Sequence, residues 1–303
     1  MINTQTSKSK WGKYSVTNQK QELARQAMYK SAEVRKETGI ATNQPICIYD
    51  LCNKLGITVR FVDISMEGMY LGGQKPTFLL SALRPLPRRN FTCAHELGHH
   101  VFGHGATIDQ LIENTEKSKI FQPEEFLADS FAGLLLMPKL AIRKAFTVRG
   151  WNPVSATPHQ IFTIACAFGV GYETLIYHMT YALKILNYSN IQSLLKVKPK
   201  KIREEILGRP TTNSLIIADE HWSLSTIDVE VGNYLLLPNT AKSDRDIITF
   251  EENHSKGTLF LANRPGIVRV YCPGTQWAVF VRVSHNQFIG LSQYRHLEEV
   301  EDE

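Results

Sequence analysis

Two histidines four residues apart, with a glutamate directly after the first, constrain this chain more than any other feature: His95-Glu96-Leu97-Gly98-His99. Residues i and i+4 share one face of a helix, so His95 and His99 can turn both imidazoles toward a single ion only if this segment is helical. Zinc suits such a pair, because it accepts neutral nitrogen ligands and tolerates an open fourth position. Glu96 lies beside the ligands, displaced around the helix toward the site of a metal-activated water. There it can take a proton from the water and later deliver it to a leaving amine.

A catalytic zinc needs a third protein ligand, and the next predicted helix offers one. Glu125-Phe126-Leu127-Ala128-Asp129 reads E-x-x-x-D, in which Glu125 completes a His2Glu set. Asp129, one turn on, can hydrogen-bond the free ring nitrogen of a ligand histidine and so fix its tautomer and orientation. Glu124 is the rival for the ligand role, and the four-residue spacing to Asp129 favours Glu125. The Gly and His that follow His99 in the metzincin pattern fall out of register here, at Gly103 and His104. His100 and His104 are therefore expected to face solvent or cap the helix. Cys93 falls on the opposite helix face, as core. Cys272 has two readings, an inhibitory thiolate at the open zinc position or ordinary packing, and packing is favoured.

The surrounding sequence predicts how this helix is housed. Residues 1–16 read as a disordered arm, and 18–38 as an amphipathic helix with apolar positions at Leu23, Ala27 and Ala32. A short helix follows Pro45 and stops at Gly56. Strands are expected at 57–62 and 77–82, with a turn or irregular edge at the glycine-rich 69–73. Asn90 or Thr92 is the expected cap of the motif helix, which ends near Gly103. Helices follow Pro123 and Pro138, and 157–186 reads as two helices broken at Gly169-Val170-Gly171. That pair resembles a helix-turn-helix, but its second helix lacks the arginines of a DNA reader, so packing on the core is expected. Tyr172, Tyr177 and His178 are open candidates for steadying an oxyanion. From 214 to 291 short β-rich runs alternate with Gly, Pro, Asn and Asp. The expected organisation is thus α+β: a mainly helical zincin-like peptidase domain with a small sheet over 17–195, a basic linker over 196–210, and a β-rich domain over 211–303 that serves as sensor or substrate-docking surface.

Bulk properties narrow the class. A chain of 303 residues with 43% hydrophobic and 21% charged residues has material for two packed domains. No run approaches the roughly 20 apolar residues of a membrane span, and the polar first residues lack the apolar core of a secretory signal. Five scattered cysteines without a CxxC pair indicate reduced thiols. A cytoplasmic location without membrane contact is expected. The net charge of +5, with Lys196, Lys198, Lys200, Lys201 and Arg203 clustered, permits a single-stranded nucleic acid as activator; a small molecule is the other candidate.

The runs Arg88-Arg89-Asn90-Phe91-Thr92-Cys93-Ala94-His95-Glu96-Leu97-Gly98-His99-His100, Glu125-Phe126-Leu127-Ala128-Asp129-Ser130-Phe131-Ala132 and Leu135-Leu136-Met137-Pro138 resemble the ImmA/IrrE family of metallopeptidases. The likeness covers about residues 18–190; many members have Asn where this chain has Asp129. The resemblance implies a gluzincin-like core, a zinc cofactor and an unusual task. That task is limited cleavage of a helix-turn-helix transcriptional repressor, which switches on stress-response, mobile-element or phage-defence genes. Some relatives carry a GAF-like sensor domain after the peptidase part. Two alternatives differ in class: a regulator-binding module with a vestigial zinc site, and a toxin-like partner of an antitoxin. Glu96 speaks against both, since a structural metal site needs no base.

Overall fold

The computed structural model describes residues 8–105, 107–109, 121–222 and 225–297. The chain begins with a long helix, α1 (Lys8–Glu37), which starts inside the expected arm; residues 1–7 lie outside the described residues. Its inward face carries Ala27, Ser31, Val34 and Arg35, not Ala32. Arg35 is buried because its guanidinium donates to Leu135 O at 2.9 and 2.6 Å, Ala41 O at 2.7 Å and Gln44 O at 3.0 Å. Burial lowers its pKa to about 10, and four carbonyl contacts satisfy the charge that burial strips of water. The helix ends before Gly39, whose φ of 69° suits a residue without a Cβ.

A first sheet and its helices follow. Helix α2 (Ile48–Lys54) leads to β1 (Thr58–Val62), β2 (Gly68–Leu71) and β3 (Thr77–Ser81). Then come α3 (Leu86–Phe102), β4 (Thr107–Asp109), α4 (Pro123–Leu136) and α5 (Lys139–Thr147). β1 and β3 run parallel, while β2 is antiparallel to both β3 and β4. Of residues 69–73, expected as a turn or irregular edge, 69–71 thus belong to an internal strand, while 72 and 73 leave it and enter a bend. Pairing on both sides outweighs the weak strand propensity of glycine.

The helical region continues through α6 (Pro158–Ala167), α7 (Tyr172–Tyr177) with a π-helical turn at His178–Ala182, α8 (Tyr188–Leu195) and α9 (Pro199–Leu207). Thr157 and Gln160 form a reciprocal capping box at the start of α6. Helix α9 occupies most of the expected basic linker. Ile202, Ile206 and Leu207 bury one side of it, and Lys200–Glu204 and Lys201–Glu205 pair at i,i+4 on the other.

Beyond α9 the chain is β-rich as expected, and the described residues of this region hold no α-helix. One four-stranded sheet has the order β5 (Leu215–Ile217), β7 (Tyr234–Leu237), β10 (Gly257–Ala262), β9 (Ile248–His254). The other has the order β6 (Ile227–Glu230), β12 (Ala278–Ser284), β11 (Gly266–Tyr271), β8 (Lys242–Ser243). Ile227, Leu235, Leu237, Phe260, Val270 and Val281 belong to one buried cluster drawn from both sheets. The alternation B-e-B-e-B along β11 shows the period of two that this burial requires.

This region does not stand apart. Leu215, Leu236 and Leu259 join the core of the helical part, and β13 (Gly290–Leu291) pairs antiparallel with β1 at the edge of the first sheet. Charged clasps add to the joint. Arg282 meets Asp228 through Nε at 2.6 Å and Nη2 at 2.9 Å, and reaches Asp50 on α2 at 3.2 Å. Arg149 grips Asp219 through two bonds of 2.6 and 2.7 Å. Arg89, buried on α3, pairs with Glu230 on β6. No single described helix is long and apolar enough to cross a membrane.

Candidate metal centre

Helix α3 carries the histidine pair, and its start differs from expectation. It opens at Leu86 after Pro85, with proline in the first turn where a missing N–H costs nothing. Asn90 and Thr92 lie inside it, and Asn90 Nδ2 donates to Gly169 O at 2.8 Å. The helix stops at Gly103, whose φ is 70°, and the His104 amide closes back on His99 O at 3.1 Å.

Helix α4 lies against α3 at a point where neither has a large side chain. A Cβ built on Gly98 would sit 3.0 Å from Ala128 Cα and 3.2 Å from its Cβ and carbonyl oxygen. Gly98 is flanked by His95 and His99, and Ala128 by Glu125 and Asp129, so this contact sets the spacing of the whole site. Glu124 and Glu125 sit in the first turn of α4, where the helix dipole favours carboxylates.

The resulting geometry brings three ligand atoms together. His95, His99 and Glu125 each offer one within 4.8 Å of the others. The two Nε2 atoms are 3.0 Å apart, and the Glu125 oxygens lie 3.4 Å from His95 Nε2 and 3.6 Å from His99 Nε2. Ligands of a tetrahedral zinc, bonded at about 2.0–2.1 Å, are separated by about 3.3–3.4 Å. Two nitrogens 3.0 Å apart, each with a Glu125 oxygen within 3.6 Å (Oε2 beside His95, Oε1 beside His99), fit that ion in donor type and crowd around one point. Hydrogen bonds from the two histidines hold the Glu125 carboxyl far below the usual carboxylate range. Glu124 is exposed and outside the cluster.

Supporting contacts fix the ligands. His95 Nδ1 is 2.9 Å from Asp129 Oδ1, as the E-x-x-x-D spacing predicts. His99 Nδ1 is 3.0 Å from His104 Nδ1, a contact that the sequence reading missed. Burial, then the neighbouring His99, holds His104 below the ordinary histidine value. In its neutral form His104 can accept the His99 Nδ1–H, which leaves the His99 Nε2 lone pair facing the site. His104 also stacks on Phe102, with centroids 5.8 Å apart. His100 turns toward Tyr70 on β2, its Nδ1 2.9 Å from the hydroxyl. Neither histidine is the solvent-facing residue expected, although the His104 amide does help to cap the helix. His104 follows the helix-ending Gly103, and no helical spacing links it to His99.

Glu96 is fully buried beneath β2. A Cβ at Gly68 would approach Glu96 Oε1 to 2.7 Å and Thr92 Cγ2 to 2.6 Å, so only glycine lets the strand pass this close. The oxyanion candidates are engaged elsewhere. Tyr172 donates to Leu194 O at 2.9 Å, His178 Nε2 lies 3.0 Å from Met137 O, and Tyr177 stacks with Tyr181 at the surface. Cys93 is buried with its Sγ 3.7 Å from Cys52 Sγ, and burial pushes its thiol well up. Cys272 is packed in the core of the two C-terminal sheets, its Sγ 3.6 Å from Asn239 O.

A helix-borne histidine pair with a buried glutamate and a facing carboxylate is the arrangement of a metallopeptidase centre. In keeping with this, residues 52–180 match the family model described as the IrrE N-terminal-like domain, Peptidase_M78. No curated protein matches the chain. A solved "Mycobacterium tuberculosis transcriptional regulator" aligns over 52% of this chain at 17% identity with a TM-score of 0.34, a likeness too loose to bear on fold or function. The chain spans 46% of that protein's length.

Proposed function

We propose that the chain is a zinc metalloendopeptidase that makes limited cuts in a helix-turn-helix transcriptional repressor, as the family likeness suggests, and so switches on stress, mobile-element or phage-defence genes. His95, His99 and Glu125 hold the metal, Asp129 orients His95, and Glu96 is the general base. The observation that carries this reading is the convergence of ligand atoms from His95, His99 and Glu125 within 4.8 Å of one another, with the buried Glu96 next in the chain to His95. Zinc bound there would activate a water and polarise the scissile carbonyl. Glu96 accepts the proton of the attacking water, and its burial keeps that proton from bulk solvent until the amine departs. Asp129 accepts from His95 Nδ1 and fixes the tautomer whose Nε2 faces the ligand cluster.

The test compares Glu96→Gln, His99→Ala and the parent protein in zinc content and in cleavage of candidate helix-turn-helix repressors from the same genome. Glu96→Gln should keep zinc and lose roughly 10²- to 10⁴-fold or more in rate. His99→Ala should lose metal. Full zinc retention in His99→Ala, or parental cleavage by Glu96→Gln, would overturn the assignment. Casein should yield little product, since a regulatory protease cuts one or a few bonds. A regulator-binding module or toxin-like protein would act equally well with Gln at position 96.

A further inference from the structure

A cavity of about 820 Å³ lies in the seam between the helical part and the C-terminal sheets and reaches the edge of the metal centre. That volume is ordinary for a ligand site, and seams between structural units are where such sites occur. At one end it touches His95 and Asp129. Phe91 and Phe162 line it from the helical side, and Leu215, Ile216, Trp222 and Val229 from the C-terminal side.

The charges on its walls are not alike. Glu67 is met by Arg84 at 3.1 Å and Arg88 at 2.7 Å, Asp228 by Arg282 and Arg295, Glu230 by Arg89, and Asp129 by His95. Arg203, on α9, differs. Its Nε is buried and has no hydrogen-bond partner among the described residues, and no carboxylate of those residues forms an ion pair with it. Its neighbours in the basic segment are matched, Lys198 by Glu173 at 2.8 Å and Lys200 and Lys201 by glutamates one turn on. Lys196 is exposed, so Arg203 is the charge of this segment that is turned inward, onto a largely apolar wall. Burial lowers the Arg203 pKa without removing its charge. A guanidinium in such a place gains most from an anion, because a charged hydrogen bond strengthens as water is excluded.

We propose that this cavity is the part of the substrate cleft that receives the polypeptide beyond the scissile bond, and that Arg203 binds an acidic side chain of that polypeptide. The proposal rests on the peptidase reading and adds a substrate class to it. Contact with His95 and Asp129 argues for a segment of the substrate over a free small anion, since a polypeptide bound across the centre can extend past His95 into the cavity. It also assigns the C-terminal region a role, because β5, β6 and the turn at Trp222 contribute to the cleft wall.

The test is affinity selection of a random peptide display library on zinc-loaded Glu96→Gln protein, which binds without cutting, and on the same protein carrying Arg203→Glu. Asp or Glu should be enriched at one position with Arg203, and Lys or Arg at that position with Arg203→Glu. The best acidic peptide should lose about 10- to 100-fold in affinity with Arg203→Gln and keep most of it with Arg203→Lys. Unchanged zinc content and unfolding midpoint in the variants exclude misfolding as the cause. Identical residue preferences in the two selections, or no enrichment at all, overturn the proposal. Arg203-dependent acidic peptides that the parent protein never cuts would leave the cleft standing and sink the peptidase reading. Cleavage with no acidic preference would do the reverse.

Discussion

Gly98→Ala tests whether one close helix contact sets the metal centre. The new methyl would lie 3.0 Å from Ala128 Cα and 3.2 Å from its Cβ and carbonyl oxygen. Carbon atoms pack best at about 3.5–4.0 Å, so α3 and α4 must part by about half an ångström. Two effects on stability oppose one another. Alanine in a helix interior gains about 1 kcal/mol over glycine, whereas overpacking costs about 1–3 kcal/mol. The net change should be a loss of about 0–2 kcal/mol, too little to unfold the protein. The effect on the centre is larger, because Glu125 and Asp129 ride on α4 while both histidines ride on α3, and metal sites tolerate about 0.2 Å of ligand displacement. Zinc affinity should fall about 10- to 100-fold, the range seen when a ligand loses its support. Competition with a calibrated chelator measures the affinity, and denaturant unfolding of the metal-free protein measures the stability. Parental zinc affinity in Gly98→Ala would refute the claim that this contact positions the ligands.

His104→Ala should weaken zinc about 10- to 100-fold through the lost partner of His99, and His104→Asn, which keeps an acceptor, should weaken it less; equal affinities in both variants and the parent would remove His104 from the site. His178 supplies a pH dependence. Burial depresses its pKa from 6.5 to about 4, so between those values the unfolded chain takes up a proton that the folded chain refuses. Its contribution is complete above pH 6.5 and is lost as the pH falls toward 4, about 3 kcal/mol in all. His178→Gln should flatten the slope of unfolding free energy against pH in that window, and an unchanged slope would show that His178 does not titrate as described.

The metal centre was legible in the sequence because each of its decisive spacings is a helical turn. His95 to His99 and Glu125 to Asp129 become geometry as soon as the two segments are helices. What remained hidden depends on contacts between segments. His104 follows the helix-ending Gly103, and nothing in its spacing announces that the turned chain brings its ring to His99 Nδ1. Gly72 and Gly73 do mark a bend, but Met69 to Leu71 just before them are strand, and β2 opens with Gly68 because a Cβ there would collide with Glu96 and Thr92 of α3. The start of α3 at Leu86 escaped because proline reads as a breaker, although it is welcome in a first helical turn. In α9 the signal was present, since Lys200–Glu204 and Lys201–Glu205 are helical pairs, but the lysine count made the segment look like a linker.

The C-terminal region bears on how regulation can be dissected. A separable sensor would predict that removing residues 205–303 leaves a working, ungated peptidase. The structure argues otherwise. Leu215, Leu236 and Leu259 are part of the core that houses the helices, so truncation exposes their partners at about 1.5–3 kcal/mol for each large side chain. β13 covers the outer edge of β1, and its removal leaves an unpaired strand edge open to aggregation. Arg89, buried on α3 a little over one helical turn before His95, would lose Glu230 and become a buried charge without its partner, which costs about 3–5 kcal/mol. The last of these losses falls on α3, the helix of the histidine pair, so an inactive truncation would report a damaged centre and not an absent docking surface. Substitutions at the cavity wall, which leave the clasps intact, separate the two.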